Sequence, residues 1–183
     1  MPAPRECATL TTIGYNMYLI GGLNFDTCRE IICGKISGDY VIWERVPYVS
    51  AEPVLGRQCH SSVAYGSKIY TFGGCFMFNQ KRQIRDLTNQ LLEFDTYERR
   101  MTQCRTNGFG VAARKNHCAT VYKKTMIVYG GVTEGGEYET DMLALQLDYM
   151  EWMKIQPKNG MMPFIQGACC SVVAQAKTRT EIL

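Results

Sequence analysis

Three observations predict an all-β protein assembled from repeated four-stranded sheets. Gly-Gly pairs recur at Gly21-Gly22, Gly73-Gly74 and Gly130-Gly131, each directly behind a short apolar segment at residues 17–20, 69–72 and 126–129. An arginine stands sixteen residues before the first glycine of every pair: Arg5, Arg57 and Arg114. A tryptophan follows the second glycine by twenty-one residues twice, at Trp43 and Trp152. The repeat spacing is therefore 52 and then 57 residues, with four short strands to each unit.

Each element of the unit has its own justification. Residues 7–13, 59–65 and 116–122 align as β-rich segments, and each runs into a short polar turn, Gly14-Tyr15-Asn16, Gly66-Ser67-Lys68 or Lys123-Lys124-Thr125. Two such segments around a short turn form a hairpin. The glycine pair closes the hairpin because a residue without Cβ accepts positive φ or the close approach of another backbone. A third strand is read at residues 91–95 and 142–147 from partial period-two alternation. Its counterpart in the first unit, about residues 31–37, reads as weak. The tryptophan lies on the fourth strand, where a large apolar ring can seal the gap to a neighbouring sheet. In the middle unit the interval grows by six and Met101 takes its place. Residues 166–173 look like the opening of a fourth unit, with no glycine pair behind them and a polar run over 175–181.

A four-stranded unit at this period is the mark of a β-propeller blade. The run Arg57, His60-Ser61, Ile69-Tyr70-Thr71-Phe72-Gly73-Gly74, and again Arg114, His117, Tyr129-Gly130-Gly131, Thr140-Asp141-Met142-Leu143, Trp152, resembles the kelch repeat over nearly the whole chain. The first unit departs from it with Ala8 in place of the histidine, and the second lacks the tryptophan. The resemblance implies a kelch-type β-propeller: an incomplete arc of four-stranded antiparallel blades, with blade 1 at 5–56, blade 2 at 57–113, blade 3 at 114–165, and the start of blade 4 plus a polar tail at 166–183. Kelch propellers mostly close with six blades, which takes about 300 residues. The chain has 183. It is read as a piece of a longer protein, as an arc closed by a second copy or chain, or as an open arc packed on something else. The first is favoured because repeat arrays need protected ends.

Bulk properties narrow the function classes. Apolar residues make up 46% and charged residues 20%, a globular balance that argues against disorder. The net charge of +3 is too small and too evenly spread for a nucleic-acid or polybasic membrane surface. No apolar run approaches the 18 or so residues of a membrane helix, and the opening residues hold no apolar core of a secretory signal. Nine scattered cysteines, an odd number, favour free thiols in a reducing, cytoplasmic setting.

Chemistry-bearing side chains follow the repeat. His60 and His117, the two histidines, hold equivalent places in two units, which favours a buried repeat role over a catalytic or metal-binding one. Cys59, His60, His117 and Cys118 form a Cys₂His₂ set on paper, but neighbours on a strand point to opposite faces and cannot easily share an ion. No cofactor or metal is implied. Arg57 and Arg114 are read two ways: as cations at the channel mouth for an acidic ligand, or as repeat residues pairing with a neighbouring blade.

The resemblance implies that ligands dock on the face formed by loops between second and third strands. In the second unit that loop carries Phe76, Phe78, Lys81, Arg82 and Arg85, two aromatic rings beside three cations, a hot-spot composition. In the third it is acidic, with Glu134 and Glu137 around Tyr138. Opposite charges on adjacent loops suit a protein or peptide of mixed charge. The expected function is a non-catalytic interaction module, an adaptor or scaffold presenting variable loops. The alternatives are a fragment of a kelch-fold enzyme, oxidase or sugar-acting, with its site in missing blades, and a structural subunit of a cytoskeletal assembly. The expected partners are a protein or peptide and the remaining blades or a second copy, with neither nucleic acid nor membrane.

Overall fold

The computed structural model describes residues 1–51, 56–81, 84–156, 158, 163 and 165–167. The expected opening of a fourth unit lies outside them beyond Gly167.

The described chain is all-β and forms three principal sheets in succession. The first contains β1 (Thr9–Ile13) and β2 (Asn16–Ile20). A small ribbon, β3 (Leu23–Asn24) and β4 (Asp26–Thr27), follows, and β5 (Ile31–Ser37) and β6 (Tyr40–Val46) complete the sheet in the order β1-β2-β5-β6. Next comes β7 (Val49–Ser50). The second sheet holds β8 (Ser61–Tyr65) and β9 (Lys68–Phe72). Its hairpin β10 (Cys75–Asn79) and β11 (Ile84–Leu87) stands apart from it, before β12 (Leu91–Asp95) and β13 (Arg100–Cys104). After β14 (Asn107–Gly108), the third sheet contains β15 (Cys118–Tyr122), β16 (Thr125–Tyr129), β17 (Met142–Gln146) and β18 (Glu151–Ile155).

Neighbouring strands of the four-stranded cores are antiparallel, and each opens with a hairpin whose turn starts on a left-handed residue: Gly14 (φ 57), Gly66 (φ 61) or Lys123 (φ 56). The second and third sheets gain a fifth strand. β7 pairs parallel with β13, and β14 pairs parallel with β18. The tail of one repeat thus belongs to the outer edge of the next sheet. Two-residue edge strands carry no periodicity, so the sequence pattern does not reveal them.

β5, expected to be weak, is a seven-residue strand. Its pattern is blurred by Gly34, and the reason is on the paired strand: a Cβ on Gly34 would stand 2.7 Å from Cζ3 of Trp43. The tryptophan ring fills the space the glycine leaves.

The core sits between sheets. Tyr18, Ile20, Ile31 and Cys33 of the first sheet meet Ile69, Leu92, Phe94 and Met101 of the second. Val63, Tyr70, Phe72 and Leu91 of the second meet Met126, Val128, Leu143, Leu145 and Trp152 of the third. Leu91 and Leu92 are neighbours that serve opposite clusters, because successive strand residues face opposite ways and the middle sheet is covered on both sides. Met101 and Trp152 occupy equivalent places, each buried against the preceding sheet. Burial of each such side chain contributes roughly 1.5–3 kcal/mol.

Hydrogen bonds between inner segments repeat in step. The N–H groups of Cys59, Asn116 and Gly167 donate to the carbonyls of Cys7, Cys59 and Asn116 at 3.1, 2.9 and 2.8 Å. The N–H groups of Gly22, Gly74 and Gly131 donate to the carbonyls of Arg57, Arg114 and Ile165 at 2.9, 2.9 and 3.0 Å. Each glycine pair is therefore tied to the unit that follows.

Candidate interaction surface

Corresponding strands run in the same sense in each sheet, so the loops from second to third strands leave at one end of the arc. The hairpin turns leave at the other. The loop end is held by buried polar groups. Arg5, Arg57 and Arg114 donate from Nη1 to the carbonyls of Gly21, Gly73 and Gly130 at 3.3, 3.3 and 3.2 Å. Their second partners lie just ahead of the third strand: Glu30 at 2.5 Å, the Gln90 side chain at 3.1 Å and Glu139 at 3.7 Å. Arg57 is 3% exposed and Arg114 1%. Of the two readings of these arginines, burial matches the repeat role: their guanidinium groups bind the loop from below. Loss of water around Arg57 lowers its pKa to about 10, which leaves it charged at neutral pH. Glu139 is spent on Arg114 in the same way.

The histidines join sheet to sheet. His60 Nε2 lies 3.0 Å from Thr9 Oγ1, and His117 Nε2 lies 2.9 Å from Ser61 Oγ. Burial first, and then the neighbouring arginine charge, brings both down to about 3, so they are neutral at physiological pH. They do not converge on an open site.

Three loops crown this scaffold. In the first unit Phe25 sits at the tip of the β3–β4 ribbon with φ 59, its ring fully in solvent at 105% relative exposure. In the second unit the expected irregular loop is the hairpin β10–β11, with Phe78 paired to Arg85 across it. Phe76 is half-buried, and the Arg57 guanidinium carbon lies 5.7 Å from its ring centre. Lys81 is exposed beside the turn, and Arg82 lies outside the described residues. In the third unit Val132 bridges Tyr138, Gly136 turns the chain at φ 79, and Glu134, Glu137 and Tyr138 are exposed. Tyr138 is also reached by Gln166 Nε2, which donates to its hydroxyl at 3.3 Å.

Sequence reasoning did not single out Phe25. The available signal was an aromatic residue between two turn formers, Asn24 and Asp26, close behind a glycine pair. It also missed the opposite end of the arc. There, between the first and second sheets, a groove of about 530 Å³ is lined by Tyr15, Tyr97, Lys35, Glu44 and Arg99, with a Lys35–Glu44 ion pair at 2.7 Å.

The family model described as the KLHDC2/KLHL20/DRC7 Kelch-repeats domain matches residues 1–178. The chain belongs to the kelch-repeat family. Kelch domain-containing protein 3 of Bos taurus is 25% identical over 179 residues, covering 94% of this chain and 46% of that protein, and the Homo sapiens protein gives the same figures. Host cell factor of Drosophila melanogaster is 30% identical over 146 residues, 71% of this chain and 10% of that protein. The solved structure of YjhT superposes with a TM-score of 0.66 at 16% identity, over 85% of this chain and 53% of that one, a likeness of fold alone. This kelch chain thus spans less than half the length of the curated relatives it matches first. Among the described residues, no helix is long and apolar enough to cross a membrane.

Proposed function

We propose that this kelch arc is a non-catalytic protein-interaction module, an adaptor or scaffold in the cytoplasm, whose loops between second and third strands dock a protein or peptide partner. One observation carries the reading. Loops at one end of the arc present exposed aromatic side chains, Phe25 on the first and Tyr138 on the third, above buried arginines that donate to the Gly73 and Gly130 carbonyls. Rigid support below and exposed rings above make a recognition surface, since aromatic anchors dominate interface energetics and a fixed scaffold saves ordering entropy. Lys81 beside the second loop and Glu134 and Glu137 on the third give the partner a mixed-charge complement. The buried, equivalent histidines speak for interaction rather than catalysis. The remaining blades that complete the ring come from further chain or from another molecule.

The test is affinity capture of partners after cross-linking, with two double variants. Phe25→Ser with Tyr138→Ser is expected to lose the captured proteins. Tyr15→Ser with Tyr97→Ser, at the opposite groove, is expected to keep them. The reverse pattern would move docking to the other end of the arc.

A further inference from the structure

We propose that Cys7 and Cys59 are a peroxide-responsive thiol pair that closes a disulfide between the first and second repeats. The two residues hold equivalent places at the inner edge of successive units. The Cys59 N–H donates to the Cys7 carbonyl at 3.1 Å. A backbone bond of that length keeps two Cα atoms within the range of about 4.4–6.8 Å that a disulfide spans. Both side chains take part: the Cys59 thiol hydrogen-bonds the Cys7 thiol on one side and the Cys75 thiol on the other. Three cysteines outside any disulfide thus meet where the chain distance between the outer two is 68 residues.

Backbone conformation gives a second, independent pointer. Cys7 and Cys59 lie in the left-handed region at φ 54 and 56, where Asn116 and Gly167 stand in the following units at φ 57 and 64. Asparagine and glycine tolerate that region, and other residues are strained there by roughly 1–2 kcal/mol. Cys7 is exposed, so packing does not offset the strain. The shared conformation sets the two cysteines at matching places of successive repeats, joined by the backbone bond.

Exposure sets the order of events. The Cys7 thiolate takes an oxygen atom from hydrogen peroxide, becomes a sulfenic acid and releases hydroxide. The Cys59 sulfur then attacks Cys7 sulfur. The S–S bond forms, the S–O bond breaks, and water leaves with the Cys59 proton. In sum two thiols lose two electrons and two protons, and one peroxide becomes two waters. The hydrogen bond with the Cys75 thiol, and then burial, hold Cys59 in its thiol form until then. The bond would fasten the first repeat to the second at the loop end, beside the ribbon that carries Phe25. It would form whether or not those loops dock a partner.

The experiment treats the whole chain with a stoichiometric amount of hydrogen peroxide, alkylates it with iodoacetamide in denaturant and maps its tryptic peptides. The expected product joins peptide 6–29 to peptide 58–68 and accounts for most of both. It should persist in Cys28→Ser and vanish in Cys7→Ser, an exposed position where the fold survives. Full alkylation of both peptides, a link of 58–68 to 69–81, or a link that survives Cys7→Ser would overturn the proposal.

Discussion

His117 of the third repeat closes over Gly73 of the second: a Cβ on Gly73 would stand 2.7 Å from His117 Cε1 and 2.8 Å from the Arg114 carbonyl oxygen. The second glycine of the same pair faces its own unit instead, with a Cβ on Gly74 2.8 Å from the Cβ of His60. One glycine thus accepts the following repeat and the other accepts its own inner segment. The relation recurs at Gly21 under His60, at 2.6 Å, and at Gly131 against His117, at 2.9 Å.

Gly73→Ala is therefore expected to destabilise by about 2–5 kcal/mol, since overpacking against backbone and ring adds to the strain of positive φ. Gly14→Ala is the control. Its φ is also positive, at 57, but nothing lies within 4 Å of the added carbon, so only the conformational strain of about 1–2 kcal/mol applies. Urea unfolding of both variants measures the difference. Equal losses would show that φ alone, not the joint between repeats, demands glycine at position 73.

Acid should weaken the arc through the same histidines. Each has a folded pKa of about 3 against an ordinary value of 6.5. Between those values the unfolded chain binds more protons, so stability falls as pH falls. Their contribution is complete above pH 6.5 and erodes by about 1.4 kcal/mol per pH unit for each histidine on the way down. Thermal melts at pH 7, 5.5 and 4.5 should show this decline, and His60→Asn with His117→Asn should flatten it. An unchanged slope in the double variant would assign acid sensitivity to carboxylates such as Glu30, whose pKa is lowered first of all by its hydrogen bond from Arg5.

The two tryptophans should differ in worth. Trp152 is 3% exposed with its ring 5.1 Å from that of Phe72 in the preceding sheet. Trp43 is only half-buried, because the first sheet has no described sheet before it. Trp152→Ala should cost about 3–5 kcal/mol, and Trp43→Ala less than half of that in the isolated chain. If Trp43→Ala proves as costly, the first sheet is covered in solution.

Phe76→Ser should lower the melting temperature by a few degrees. The ring lies over the buried Arg57 guanidinium, a contact of about 0.5–2 kcal/mol when shielded from water. Phe25→Ser should leave melting unchanged while weakening partner capture, because the Phe25 ring is fully in solvent. A stability loss at Phe25 would mean that the ring packs on the neighbouring hairpin rather than awaiting a partner.

The repeat itself was legible because its marks are local and recur at fixed offsets. Glycine pairs, the arginine ahead of them, and the apolar strand between need only the pleat and the turn to be read. The interaction surface was legible in part. The composition of the second and third loops was readable in the sequence, whereas the choice between the two readings of Arg57 and Arg114 depended on burial, which turns both inward. Phe25 was missed because a two-residue ribbon has no period to detect.

Residue order alone determined that this chain builds successive small sheets joined at glycine pairs, since strand alternation and glycine backbone freedom act over a few residues. Only the tertiary structure decided which polar side chains are consumed in holding the loops, and that Cys7, Cys59 and Cys75 meet. Those outcomes depend on segments far apart in the chain being brought within hydrogen-bond reach, and that proximity is set by how one sheet packs on the next.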